Sequence, residues 1–146
     1  MTTVRSARQL PPESAAYIAG LIDGEGTITM TRLHANENRR LVVSIANTEL
    51  ALLEFVLGQV GAGKIARKRT TSALHKPCYC YAITSRQALA LLMQICGYLR
   101  SHKRRRAELA LRHYVGLTPR NGKYTPSQRA ERARFEQDLL SLKSRM

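Results

Sequence analysis

Residues 17–26 read Tyr-Ile-Ala-Gly-Leu-Ile-Asp-Gly-Glu-Gly, and this stretch constrains the fold more than any other. Apolar residues at helical spacing run directly into two carboxylates, Asp23 and Glu25, with Gly24 between them and Gly26 after. The helix predicted over Glu13–Asp23 puts Ala16, Gly20 and Gly24 at i, i+4 and i+8, a lean stripe along one side. Ile18, Leu21 and Ile22 lie elsewhere on its circumference and can bury against a core. A mid-helix glycine costs about 1 kcal/mol relative to alanine, so the stripe predicts close approach of a second helix backbone. The chain holds no second copy of the segment. The partner helix is therefore expected from another protomer, in a two-fold homodimer with Ala16, Gly20, Asp23 and Gly24 at its interface. The acid-bearing tip is expected to be a metal-binding active site.

Charge says what such a site acts on. Lys plus Arg number 24 against 10 Asp plus Glu, a net charge of +14, and no acid occurs between Glu54 and Glu108. A surplus this large points to a polyanion, with nucleic acid ahead of an anionic membrane. A membrane surface calls for one basic amphipathic helix, whereas here the charge is spread over several predicted elements. With 146 residues, 44% of them apolar, the chain is expected to form one folded domain. No apolar run is long enough to span a bilayer and no signal-peptide pattern opens the sequence, so an intracellular protein (cytoplasm, nucleoid or organelle) is expected. Cys78, Cys80 and Cys96 fit a reducing compartment. A zinc site takes about four ligands, and no second Cys/His pair stands at suitable spacing, so these read as packing thiols.

Residues 1–10 carry Arg5 and Arg8 without periodicity and read as a basic, weakly ordered arm ended by Pro11-Pro12. After the first helix, Thr27–Arg32 alternates like a half-buried strand, and Arg40–Asn47 is a second strand with Leu41, Val43 and Ile45 inward. Asn47 can cap a helix whose apolar face is Leu50, Leu53, Val56 and Leu57, closed by Gly61-Ala-Gly63. The pattern then repeats: a strand over Lys64–Thr70, a strand over Cys78–Thr84, and a helix from Ser85 carrying Leu89, Leu92 and Ile95. Leu99–Gly116 reads as a further helix with Leu109 and Leu111 inside. Thr125-Pro126-Ser127-Gln128 opens a last one, with an apolar seam through Phe135, Leu139, Leu140 and Leu142. This order makes an α+β fold with helices on one face of an antiparallel sheet. The other face would present Thr27, Thr29, Thr31, Arg40, Ser44, Lys64 and Lys68, with Arg67 and Arg69 adding charge, as a surface for duplex DNA.

Carboxylates opposite a phosphodiester suggest divalent-metal hydrolysis. Mg²⁺ takes oxygen ligands and keeps several waters, so one or two carboxylates per protomer suffice. Two helix tips meeting at a dimer axis would bracket the metals, as in two-metal nucleases, and Lys103 is the candidate for balancing transition-state charge.

Ile18–Gly26 resembles the signature of the LAGLIDADG homing endonucleases at nearly every place, with Glu for the second acid. Ser44-Ile-Ala-Asn-Thr-Glu49, Gly61-Ala-Gly63 and the Tyr98-Leu99…Lys103-Arg-Arg-Arg-Ala-Glu108 segment are similar to that family as well, so the resemblance covers roughly residues 17–111. It implies an αββαββα fold whose sheet forms a DNA-binding saddle. One motif implies a homodimer on a long, nearly palindromic duplex site, cut across the minor groove to leave short 3′ overhangs. The cofactor it implies is Mg²⁺, for which Mn²⁺ is expected to substitute. By the family pattern Glu25 and the Gly24 carbonyl hold the catalytic metal, and Asp23 is a secondary ligand more often found at the helix interface. Lys103 matches the active-site lysine. Asn47 stands where relatives often carry a glutamine that orients water. The same fold also serves RNA maturases and non-cleaving DNA-binding relatives, which form the alternative reading.

Overall fold

The computed structural model describes residues 7–68 and 76–144. Helix α1 (Pro12–Glu25) starts on a proline, whose missing N–H would have no intrahelical partner anyway. It runs two residues past Asp23, so Glu25 sits in its last turn, and it passes without a loop into β1 (Gly26–Thr31). Gly26 makes that junction possible. A β-carbon there would lie 2.6 Å from Ile22 Cα and 3.0 Å from the Ser44 carbonyl oxygen, so only glycine lets the helix end close on the sheet.

β2 (Arg40–Asn47) is followed by α2 (Leu50–Val60), β3 (Lys64–Lys68), β4 (Cys78–Thr84) and α3 (Ser85–Ile95). The four strands are antiparallel in the order β1-β2-β4-β3, so two helix–strand–strand units lie side by side and meet at β2 and β4. This is the expected αββαββα order. Gly61 ends α2 in the left-handed conformation (φ 73°) that favours glycine. Strand parity then divides the sheet. Ile28, Met30, Leu41, Val43, Ile45, Tyr81 and Ile83 are buried in one core with Ile18 and Ile22 of α1, Leu53 and Val56 of α2, and Leu91 and Leu92 of α3. Each fully buried aliphatic contributes about 1.5–3 kcal/mol. On the opposite face Thr27, Ser44, Ala82 and Lys64 stand in one row across all four strands.

Four expectations need correction. A 3₁₀ turn (Cys96–Tyr98) follows α3, and α4 (Lys103–His113) begins four residues later than the periodicity from Leu99 implies. Inside α4 the buried residues are Ala107 and Ala110, whereas Leu109 and Leu111 are only half-buried; small side chains let this helix lie close to its neighbours. Asn47 is not the cap of α2: that position belongs to Glu49, and Asn47 ends β2. Finally, Arg67 pairs across from Tyr79 and shares the parity of Ile65 and Tyr81. It belongs to the helix-side face, away from Lys64 and Lys68. Arg69 lies outside the described residues.

Helix α5 (Pro126–Ser141) opens with a complete capping box between Thr125 and Gln128, as its first four residues predict. Phe135 and Leu139 are buried as expected, but so are Arg132 and Glu136. Arg132 donates to the carbonyls of Leu117 (3.1 Å) and Arg39 (2.6 Å) and to the Thr118 hydroxyl, and it stacks 4.9 Å from the Tyr114 ring centroid. Glu136 lies 3.7 Å from it and accepts from the Arg39 N–H at 2.9 Å. Arg106 of α4 donates to the carbonyls of Leu142, Ile28 and Leu140, tying the end of α5 to β1. Among the described residues no helix is long and apolar enough to cross a membrane.

Candidate active site

α1 and β2 bring two expected site residues together. Gly26 pairs with Ile45 in the sheet, which places the end of β2 beside the last turn of α1. There the Asn47 side-chain amide donates to Glu25 Oε2. The amide's orientation follows from its other end, because Asn47 Oδ1 accepts the Glu49 N–H at 2.7 Å and closes an Asx turn into α2. Glu25 is otherwise exposed to solvent, with no second hydrogen bond among the described residues. The link between residues 25 and 47 depends on strand pairing and has no local sequence signal.

Asp23 faces a different neighbour. Its Oδ2 accepts the Arg100 N–H at 2.8 Å, and its Oδ1 accepts the Ser101 N–H at 3.1 Å and the Ser101 hydroxyl at 2.6 Å. Burial acts to raise its pKa, but these bonds and the nearby Lys103 outweigh it and hold the carboxyl below the usual range. Ser101 Oγ in turn accepts the Lys103 N–H at 3.2 Å, in the approach to α4. Lys103 reaches back in the other direction, donating through Nζ to the carbonyls of Ile22 (2.8 Å) and Asp23 (2.9 Å). The two helix ends are thus clasped reciprocally. A carboxylate takes N–H groups ahead of α4, and an ammonium takes carbonyls in the last turn of α1, where the helix dipole is negative. Burial pulls the Lys103 pKa below its ordinary value, opposed by the Asp23 charge.

The sheet's open face carries Thr27, Thr31, Lys64 and Lys68 exposed and Thr29, Arg40 and Ser44 half-buried. A concavity of about 360 Å³ lies there, lined among others by Thr31, Arg40, Val42, Lys64 and Thr84. On α1, Ala16, Gly20 and Gly24 are all exposed, and a β-carbon on either glycine would meet nothing within 4 Å. Beside this stripe Tyr17 and Phe55 stack edge-to-face at 5.4 Å and form, with Leu52, an apolar patch that sequence reading passed over. Tyr17 and Phe55 are 46% and 41% exposed, unusual for aromatic rings on a charged protein.

These donors suit a hard divalent cation. Among the described residues no three His, Cys, Asp or Glu side chains come together. Mg²⁺ is commonly held by one or two carboxylates together with phosphate oxygens and water. Glu25 and the Gly24 carbonyl are the groups that would hold it.

Among solved structures, the chain is similar to the homing endonuclease I-CvuI in complex with its target in the presence of Ca, with a TM-score of 0.74, 19% identity, and coverage of 92% of this chain and 85% of that one. It is similar to the archaeal intron-encoded homing endonuclease I-Vdi141I complexed with DNA, with a TM-score of 0.70, 17% identity, and coverage of 92% and 86%. The LAGLIDADG homing endonuclease I-GzeII in complex with a DNA target matches with a TM-score of 0.63 at 16% identity, over 90% of this chain and 44% of that one. At these identities the likeness establishes the LAGLIDADG fold. No protein-family model and no curated protein sequence matches the chain.

Proposed function

We propose that the protein is a homodimeric, site-specific DNA endonuclease that hydrolyses phosphodiesters with Mg²⁺ and accepts Mn²⁺ in its place. The observation that carries this reading is an exposed Glu25 at the tip of α1, held by the Asn47 amide, beside an open polar sheet face on a protein of net charge +14. Held by Glu25 and the Gly24 carbonyl, the cation would supply polarisation of a phosphoryl oxygen and a more acidic water. The protein's own groups do the rest. Asn47 fixes the carboxylate, Lys103 keeps a positive charge near the end of α1 for the developing oxyanion, and Thr27, Thr29, Thr31, Arg40, Ser44, Lys64 and Lys68 face the duplex.

The dimer follows from α1. The cost of Gly20 is not offset inside the protomer, because a β-carbon there would meet open space. A second α1 packed on Ala16, Gly20 and Gly24, with Tyr17, Leu52 and Phe55 alongside, would cover the stripe and the apolar patch together. It would also bring a second Glu25 to the first. A two-fold dimer reads a pseudo-palindromic site, and two sheets side by side call for a long one; the resemblance to the LAGLIDADG homing endonucleases implies a cut across the minor groove with short 3′ overhangs. Incubation with a randomised duplex library in Mg²⁺ and in Ca²⁺, followed by sequencing of cut ends, tests the reading. Cuts at one related set of sites in Mg²⁺ support it; binding in both ions with cutting in neither assigns the chain to a non-cleaving binder.

A further inference from the structure

We infer that Asp23 is a positioning residue: its carboxylate holds the backbone of Arg100 and Ser101 so that Lys103 is delivered to the end of α1 near Glu25, and it does not ligate the metal. This rests on the nuclease reading, and it separates two acids that stand two residues apart. Glu25 Oε2 meets a single amide and the carboxylate is exposed. Asp23 accepts three hydrogen bonds, all from residues 100 and 101. These donors take three of the roughly four lone-pair sites a carboxylate offers, and a cation beside them would have to displace donors already in place. The geometry continues past the carboxylate as a relay, from Asp23 Oδ1 to the Ser101 hydroxyl and from Ser101 Oγ to the Lys103 N–H. The Lys103 ammonium then returns to the carbonyl of Asp23 itself. One residue thus fixes both ends of Lys103, the backbone through Ser101 and the side chain through a carbonyl. Displacing a group of an active site by about 1 Å can cost on the order of 10²-fold in rate.

Asp23→Asn keeps the size but turns an acceptor oxygen into an NH₂ facing an N–H, and Ser101→Ala interrupts the relay without touching α1. Three measurements on the full chain judge the inference. Amide hydrogen exchange at Ser101 and Lys103, needing neither DNA nor metal, should accelerate at least about tenfold in Asp23→Asn. Exchange as slow as wild type overturns the positioning claim, whatever becomes of the nuclease reading. Mn²⁺ binding to the DNA-bound protein, followed by its paramagnetic resonance, should match wild type in Asp23→Asn and be lost in Glu25→Gln; loss in both makes Asp23 a ligand and overturns the inference. On the duplex recovered by selection, Asp23→Asn and Ser101→Ala should lower kcat by about 10²-fold with KM little changed, and Ser101→Thr, which keeps the hydroxyl, should restore it. Wild-type kcat in Asp23→Asn overturns the proposal. A wild-type chain that cuts no duplex defeats the nuclease reading alone, and the exchange measurement still decides the position of Lys103.

Discussion

Gly20→Ala and Gly20→Leu separate what α1 does inside the protomer from what it does between protomers. Gly20 is exposed, and a β-carbon built on it meets nothing within 4 Å. Within one protomer alanine should therefore stabilise the helix by about 1 kcal/mol, which for a domain of this size raises Tm by about 2–4 °C. Leucine should also fold, since its side chain has solvent to enter. Between protomers the sign reverses. If α1 packs on its copy along Ala16, Gly20 and Gly24, an added side chain on each helix overpacks the contact by about 1–3 kcal/mol, about 5- to 150-fold in dimer Kd. Sedimentation equilibrium across a concentration series, paired with thermal unfolding well below the dimer Kd, reads both effects. The expected result is a more stable Gly20→Ala protomer and a Gly20→Leu variant that sediments as a monomer of about 16 kDa. An unaltered dimer in Gly20→Leu refutes the interface, and a less stable Gly20→Ala protomer refutes the open-space geometry.

Other outcomes follow from the packing. Gly26→Ala puts a β-carbon against backbone on two sides and should cost about 1–3 kcal/mol, measured as a lower urea midpoint in contrast with Gly20→Ala. Arg132→Ala leaves the buried Glu136 carboxylate with only the Arg39 guanidinium, also at 3.7 Å, and should cost about 3 kcal/mol, the low end for breaking a buried pair; a loss below about 1 kcal/mol would mean Arg39 alone compensates the carboxylate. Tyr81 is fully buried, donates to the Ala62 carbonyl at 2.6 Å, and has its pKa raised by burial. Its contribution is then fully present below pH about 10, the ordinary tyrosine value, and is lost as pH rises towards the folded value. Tyr81→Phe should cost about 1 kcal/mol at pH 7 for the unpaired carbonyl, and in urea unfolding the gap to wild type should close only as pH rises above about 10. DNA affinity should fall steeply with salt, with a log–log slope of about −0.9 per phosphate neutralised; a flat titration would contradict the polyanion reading.

Much of this was legible because it is local. β2 and β4 run from Arg40 to Asn47 and from Cys78 to Thr84 as their alternation predicts, and Thr125-Pro-Ser-Gln128 specifies its own capping box. What stayed hidden depends on partners far along the chain. Leu99 fits a helical period, yet the amides of Arg100 and Ser101 are taken by Asp23, 77 and 78 residues away, and α4 starts later. Arg132 and Glu136 have no local signal for burial, yet Leu117, Thr118 and Arg39 oxygens take the two terminal nitrogens of Arg132, whose Nε–H makes no hydrogen bond among the described residues, and the Arg39 N–H meets Glu136. Arg67 shows how parity outweighs composition: one position along β3 moves a basic residue to the other face. At the site itself, Glu25 and Lys103 could be named from the motif, but the Asn47 contact and the Asp23 clasp needed the sheet and α4 in place.

Glu25→Gln is the most direct test of the central claim, since it keeps the side chain's shape and its place beside Asn47 while removing the charge that would hold a cation. Measured side by side on the same duplex, binding by gel shift in Ca²⁺ should stay within about threefold of wild type, roughly 0.7 kcal/mol, while cleavage in Mg²⁺ is lost. Cleavage by Glu25→Gln at the wild-type rate would contradict the account.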